Sequence, residues 1–598
     1  MRELLKLNRF FKKYKGSIAL GVLFLTSANV FLVWIPILIR QTMDAVEGLQ
    51  ESSEEVYDSV FNILFYREAG DILATNSLYL LAAVLLYGVL LFATRQTIIV
   101  TSRKIEYDLR NEIFDHLQKL PQRYFNETSS GDVYTRATED VVRVREYFGP
   151  AFMYTINTLT RAGIIITIMI MVNPTLTFWA LLPLPFLTVL AYWMSGFIHR
   201  RSAEIQHQYS NVVGRAQEAF SSIRLIKAYN REEYEQSRFV NESETYRKKK
   251  LRLDVVESLF HPTLNLLIGL SVVLVLWQGG IMVIEETITV GNIAEFIIDL
   301  AYLTWPVASL GYTLNLLQRS AASNNRIQEL MSEPPQIQDD TGTDPSITSL
   351  SGEIEYHNVS FTYPGSSEPA LQNVNLKIEA GTNIAVVGRT GCGKTTLVQL
   401  LARFYDPQEG LITMDGTDIR KIPLSVLRAH IGYVPQETFL FSDTIGENIA
   451  FGVEDASETE IRQAADHAQV LENILDFDKQ FETTLGERGI TLSGGQKQRT
   501  SIARALIRKP KILILDDSLS AVDTKTENAI ASHLNNINYG TTILISHRIS
   551  SVQSSDVIHY MEEGTITEYG THEQLLSLNG KYAVMYKKQL LEKELEEI

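Results

Sequence analysis

Six stretches of this chain are apolar over the roughly 20 residues that a helix needs to cross a bilayer. They lie at about 18–39, 77–101, 151–172, 175–197, 258–284 and 292–318. Within hydrocarbon every backbone N–H and C=O must be satisfied inside its own segment, so runs of this kind are helices. Only Asn173-Pro174 separates the third from the fourth. A single merged helix of about 45 residues would be twice too long for one crossing, so the pair reads as a tight turn.

Lysine and arginine set the orientation. The N-terminus carries Arg2, Lys6, Arg9, Lys12, Lys13 and Lys15, and a second basic cluster is Arg247-Lys248-Lys249-Lys250. Both are expected in the cytoplasm. The loop after the first span is acidic (Glu51, Glu54, Glu55, Asp58) and is expected outside. The first apolar run is too long for a signal peptide, and no small-residue cleavage site closes it. Six crossings return the C-terminal half to the cytoplasm, so both termini are expected there.

Two hydrophilic connections, about 102–150 and 198–257, carry few Gly or Pro residues. They read as helices running on from the membrane. Arg123-Tyr124-Phe125-Asn126-Glu127 and Leu225-Ile226-Lys227-Ala228-Tyr229 stand at their far turns, where exposed aromatics suggest docking surfaces. Charges inside spans are costly and mark function or pairing. Arg95, Arg161, Glu295 and Asp299 are such charges. Glu295 and Asp299, four residues apart, share a face of span six. Two readings stay open for them: an ion pair with an arginine of another span, Arg95 or Arg161, or carboxylates facing a substrate cavity. Trp305-Pro306 is expected to bend this span.

The chain has 598 residues, too many for one core. A linker rich in Pro, Asp, Thr and Ser, 332–351, divides a transmembrane domain (1–331) from a second domain (352–598). The net charge of −16 argues against a nucleic-acid partner. The single cysteine, Cys392, excludes an intramolecular disulfide.

The second domain alternates strand and helix patterns. Asn383 to Val387 is a buried-strand pattern that runs into Gly388, Arg389, Thr390, Gly391, Cys392, Gly393, Lys394 and Thr395, with a helix expected from Thr396 to Phe404. This is the context of a phosphate-cradling loop. The glycines turn backbone N–H groups onto phosphates, Lys394 reaches the outer phosphates, and the Thr395 hydroxyl ligates Mg²⁺. Cys392 needs only to be small. A second apolar strand, Ile512 to Leu515, ends in Asp516, a carboxylate suited to hold Mg²⁺ through water. Ser493, Gly494, Gly495 and Gln496 open a further helix, a pattern that serves either as a cap or as an anion site.

Leu492 to Gln496, set between that loop and that strand, closely resembles the signature of ATP-binding cassette (ABC) proteins. Six spans ahead of one such domain resemble the exporter half-transporters of this family. The resemblance implies an α-helical membrane domain of six transmembrane helices fused to an α/β P-loop ABC nucleotide-binding domain, with ATP and Mg²⁺ as cofactors. It also implies residue roles. Tyr363 would stack on adenine. Gln436 would be the switch glutamine, contacting the metal and the attacking water. His547 would be the switch histidine. Glu487 would lie in the exporter cross-contact loop, and Asp523 at the dimer seam. The turns at Phe125 and at Leu225 would be coupling helices.

One position departs from the family pattern. Asp517 stands where the family has the glutamate that polarises the attacking water. Its carboxylate falls short by about 1 Å, a displacement that can cost on the order of a hundredfold in rate. The stretch Leu515 to Asp523 is similar to that of bacterial heterodimeric multidrug exporters, in which one site is slow. The expectation is thus a multi-pass subunit of the bacterial inner membrane, paired with a second half-transporter, exporting hydrophobic or amphipathic small molecules. A homodimeric exporter and a lipid flippase on the same scaffold remain alternatives. The six spans argue against a soluble, non-transporting ABC ATPase.

Overall fold

The structure is a computed structural model that describes residues 6–51, 67–486, 489, 491–519, 526, 527, 529, 530, 533 and 540–596. The chain divides into two compact units, one of residues 1–116 and 130–332, the other of residues 117–129 and 333–598.

The first unit is helical. Its helices include α1 (Lys15–Glu51), α2 (Arg67–Thr94), α3 (Val100–Lys119, continuing into the second unit), α5 (Phe152–Val172), α6 (Pro174–Leu181), α7 (Leu184–Ser221), α8 (Ile223–Ala228), α9 (Glu232–Ile284) and α10 (Val290–Ser332). Among the described residues five helical segments are long and apolar enough to cross a membrane: Lys15–Glu47, Ile72–Lys119, Ser130–Val172, Asn265–Ile284 and Val290–Ser332. The fourth expected span falls on α6 and α7, where several side chains lie outside the described residues. The turn before it forms as expected. Asn173 is extended, its side chain accepts the Leu176 N–H at 2.9 Å, and Pro174 takes the first helical position, where its missing N–H costs nothing. The apolar core joins Val33 of α1, Ile165 and Met169 of α5, Leu176 of α6, Val275 of α9 and Phe296 of α10. The long helices outrun any membrane. α9 has 53 residues, about 80 Å at 1.5 Å per residue, so its polar N-terminal half extends beyond the bilayer.

The second unit contains α4 (Gln122–Glu127), α11 (Lys394–Leu401), α12 (Gly494–Leu506) and α13 (Lys581–Glu596). Among the described residues ten strands form two sheets. The smaller is antiparallel, in the order β2-β1-β4-β5: Leu371–Ile378, Ile354–Phe361, Glu409–Met414 and Thr417–Asp418. The larger runs β10-β9-β3-β8-β7-β6: Thr565–Gly570, Val557–Glu562, Asn383–Gly388, Thr541–Ser546, Ile512–Asp516 and Ile431–Val434. All its pairs are parallel except β9 with β10. Alternate residues feed two cores. Ala385, Val387, Leu513 and Leu515 pack on one side, and Ile384, Val386, Ile512 and Ile514 on the other. A sheet covered on both faces explains the unbroken apolar runs Ile384–Val387 of β3 and Ile512–Leu515 of β7.

Candidate nucleotide site

Parallel sheets of this kind present ligands at the carboxyl ends of their strands. Here four adjacent strands, β3, β8, β7 and β6, deliver the expected residues to one edge. The register aligns Val387 with Ser546, Asp516 with Ile545, and Val434 with Leu515. The phosphate loop leaves β3, His547 follows β8, Asp517 follows β7, and Gln436 stands exposed just beyond β6.

The loop backbone requires its glycines. Gly391 and Gly393 have φ of +86° and +103°, and a Cβ on Gly393 would lie 2.5 Å from the Ala370 carbonyl oxygen. α11 begins at Lys394, two residues before the expected start. The Lys394 ammonium lies 2.9 Å from the carbonyl oxygens of both Gly388 and Arg389, at the centre of the loop. Cys392 is buried, its Sγ 3.7 Å from the Lys394 ammonium.

The Thr395 hydroxyl donates to Asp516 Oδ1 at 3.1 Å. Asp516 is 1% exposed, and its Oδ2 is buried with no hydrogen-bond partner among the described residues. Burial pushes its pKa up from 3.8 to about 6. The Thr395 hydrogen bond opposes this, the Asp517 charge adds to it, and Lys394 draws it back. A buried carboxylate oxygen without a donor, beside a threonine hydroxyl, is a hard-oxygen pair that fits Mg²⁺.

Asp517 occupies the left-handed region, φ +48°, with its N–H bonded to the Ile545 carbonyl at 2.9 Å. Its Oδ1 accepts from His547 Nδ1 at 2.9 Å. The Tyr363 ring packs against Phe361 and Tyr405. Its hydroxyl lies 3.0 Å from the Thr396 hydroxyl and donates to Gln399 at 2.9 Å. Sequence reasoning missed Tyr433 of β6. Burial raises its pKa, and the facing Asp516 charge raises it further. No motif marks Tyr433 in the sequence; only the pairing of β6 with β7 brings it near Asp516.

Ser493 and Gln496 form a reciprocal capping box. Ser493 Oγ accepts the Gln496 N–H at 3.3 Å, and Gln496 Oε1 accepts the Ser493 N–H at 2.9 Å. Ser493 and Gly494 are exposed. Among the described residues, the hydrogen bonds of Ser493 and Gln496 stay within their own helix start. Glu487 and Asp523 lie outside the described residues. Phe125 is exposed on α4, and the neighbouring Asn126 donates to the Tyr405 hydroxyl at 3.2 Å.

In the membrane unit the expected partners of Glu295 are corrected. Its carboxylate pairs with Arg40 of α1 at 2.9 Å, not with Arg95 or Arg161. Arg40 stands one residue beyond the apolar run 18–39 that defined the first span, outside the charges counted within spans. Arg161 instead lies over the Tyr302 ring, 5.2 Å from its centroid, and Arg95 is exposed. Asp299 is 1% exposed, and neither carboxylate oxygen has a hydrogen-bond partner among the described residues.

Residues 18–307 match the family described as ABC transporter transmembrane region, and residues 371–520 the family described as ABC transporter. A Bacillus subtilis protein, probable multidrug resistance ABC transporter ATP-binding/permease protein YheI, is 34% identical over 588 residues, 98% of this chain and 97% of its own. The chain belongs to the ABC transporter family. Two further relatives of this ABC transporter are an Escherichia coli multidrug resistance-like ATP-binding protein, MdlA, and a Desulfotalea psychrophila ATP-dependent lipid A-core flippase. The first is 34% identical, covering 88% of the chain and 89% of MdlA, and the second 33% identical, covering 93% and 97%. The fold is that of a bacterial Atm1-family ABC exporter solved with ATP bound, with a TM-score of 0.75 at 24% identity over 97% of this chain and 98% of that one. The transporter therefore joins a multi-pass membrane region to a domain that binds and hydrolyses ATP.

Proposed function

We propose that this chain is one subunit of a heterodimeric exporter of hydrophobic or amphipathic compounds, set in the bacterial inner membrane with both termini cytoplasmic. The observation that carries the asymmetric reading is Asp517. A short carboxylate stands where the attacking water needs a base, and it is engaged by His547 at 2.9 Å. Segment 332–351 is read as the linker between the two domains.

Bound together, ATP and Mg²⁺ supply the phosphoryl group and the charge that draws electrons from its oxygens. Lys394 and the loop N–H groups orient the phosphates. Thr395 and Asp516 would hold the cation, and Gln436, exposed just beyond β6, is assigned the switch role beside them. Tyr363 supports the adenine, and His547 orients the outer phosphate. Ser493 is exposed and Gly495 half-buried at the helix start, where they would meet a partner's phosphate loop and complete the faster site. Glu487 and Asp523 are assigned to the contacts across that seam. Phe125 on α4, and Leu225 and Tyr229 on and after α8, are the coupling surfaces. The latter two are 60% and 71% exposed and border an open groove of about 510 Å³.

Replacing Ser493 with Arg tests this. It should abolish nearly all ATP turnover of the assembled transporter, while Ser493→Ala loses only a cap worth about 1 kcal/mol. Full turnover with Arg at that position refutes the role of this signature. The flippase among the relatives supports a second reading, lipid translocation on the same scaffold. Transport assays with lipid and drug substrates in one vesicle preparation separate the two.

A further inference from the structure

The switch histidine is held from behind by a residue outside every motif of the site. β8 ends at Ser546, and the backbone then turns through His547, Arg548 and Ile549. Gln589, on α13, meets this turn with both ends of its amide. Its Oε1 accepts the Ile549 N–H at 2.9 Å, and its Nε2 donates to the His547 carbonyl oxygen at 2.7 Å. A primary amide carries an acceptor and a donor side by side, so it can bridge an N–H and a C=O of one turn. Flipping it would set like against like at both contacts.

The helix that carries Gln589 is itself fixed. Tyr582 and Ala583 are buried in the core, and the Tyr582 hydroxyl lies 2.8 Å from His572 Nδ1. Gln589 follows Tyr582 by seven residues, two helical turns, and so lies on the same face. The other end of the turn is held by the Arg548 N–H, which donates to Ser546 Oγ at 2.9 Å. The histidine side chain then reaches forward to Asp517 Oδ1 at 2.9 Å. The order of contacts is α13, Gln589, the His547 backbone, the His547 ring and Asp517.

We propose that Gln589 is a positioning residue for ATP hydrolysis. It clamps the turn after β8 so that the His547 imidazole is presented at a fixed height over the phosphate loop. This rests on the reading of His547 as part of the nucleotide site. Gln589 touches no reacting atom and acts only through the backbone it holds.

The test uses the complete transporter with Gln589→Met, Gln589→Glu and His547→Ala. Methionine keeps the length and packing of glutamine and removes both hydrogen bonds. Two readouts are taken. Hydrogen exchange at the Ile549 amide reads the clamp itself. Hydrolysis at this chain's own loop is read by crosslinking 8-azido-ATP, labelled on the α or the γ phosphate, and following loss of the γ label. Gln589→Met should speed Ile549 exchange about fivefold or more and slow γ-label loss about fivefold to thirtyfold, the effect of one or two lost hydrogen bonds. The half-saturating ATP concentration should stay within about twofold. Gln589→Glu keeps the acceptor for Ile549 and loses the donor. It should leave exchange near wild type and still slow hydrolysis. Faster exchange with unchanged hydrolysis in the methionine variant, while His547→Ala is slow, overturns the positioning role. Unchanged exchange overturns the clamp. Full hydrolysis in His547→Ala removes the histidine reading and this proposal with it.

Discussion

Asp516 carries a cost in the folded chain that only its function can offset. It is 1% exposed, and burial is the main cause of a pKa near 6 in place of 3.8. For an acid raised in this way, folded and unfolded states are both protonated below pH 3.8 and nothing is lost. Between 3.8 and about 6 the unfolded chain releases its proton while the folded chain keeps it. Above 6 the fold holds an ionised, buried carboxylate, and the full cost is present, about 3 kcal/mol at 1.36 kcal/mol for each unit of pH. Asp516→Asn keeps an acceptor for the Thr395 hydroxyl and removes the charge. Without nucleotide or Mg²⁺, the variant should therefore be more stable than wild type at pH 8, by up to about 3 kcal/mol, and the gap should close as the pH falls toward 4. At about 2–4 °C per kcal/mol for a domain of this size, the midpoint rises by up to about 10 °C. With Mg²⁺ and ATP the order reverses, because only the wild type gains the stabilisation of a bound ligand. Thermal unfolding of the purified transporter at pH 5 and pH 8, with and without Mg-ATP, checks both halves. Equal midpoints at pH 8 without ligand, or a gap independent of pH, would refute the assignment of a buried charge to this site.

Three further outcomes follow from single contacts. Arg40→Ala strips the only ion-pair partner described for Glu295 and should cost about 3–5 kcal/mol, seen as loss of folded transporter from membranes, whereas Arg40→Met with Glu295→Leu should recover most of it. Gly393→Ala places a Cβ against the Ala370 carbonyl at a φ of +103° and should weaken ATP binding at least about a hundredfold by calorimetry. If Asp299 attracts cationic substrates, Asp299→Asn should slow transport of cations more than of neutral compounds; equal losses would assign the residue to helix packing.

Much of this architecture was legible because its signals are local. The phosphate loop, the acidic strand end and the capping serine each announce themselves within eight residues, and the parallel sheet betrays itself by apolar runs such as Ile512 to Leu515. What escaped was set by contacts distant in sequence. Arg40 and Glu295 lie 255 residues apart, and no periodicity couples them. Tyr433 reads as an ordinary strand residue until β6 is laid beside β7. Gln589 sits on a charged surface helix, and only its distance to the turn after β8 reveals a contact. The signature illustrates the reverse case. Ser493 and Gln496 do form the plain cap that their spacing allows, and the anion role rests on the exposed face that this cap leaves.

Asp517 decides between a symmetric and an asymmetric transporter. A working base must approach the attacking water closely. This carboxylate lacks one methylene, its backbone is turned to φ +48°, and its Oδ1 is already bonded to His547. If most turnover runs through a partner's site, Asp517→Asn should lower steady-state ATPase by less than about tenfold, since the amide still accepts from His547 and little catalysis is lost. Neutralising the partner's glutamate should lower it about a hundredfold or more, as for any well-placed base. Asp517→Glu reaches about 1 Å further and should raise γ-label loss at this chain's own loop, if the partner's signature can close upon it. The measurement is ATPase of the purified complex carrying each substitution separately. Loss of all turnover in Asp517→Asn alone would make aspartate a competent base, remove the need for a second kind of subunit, and leave a homodimer as the better account.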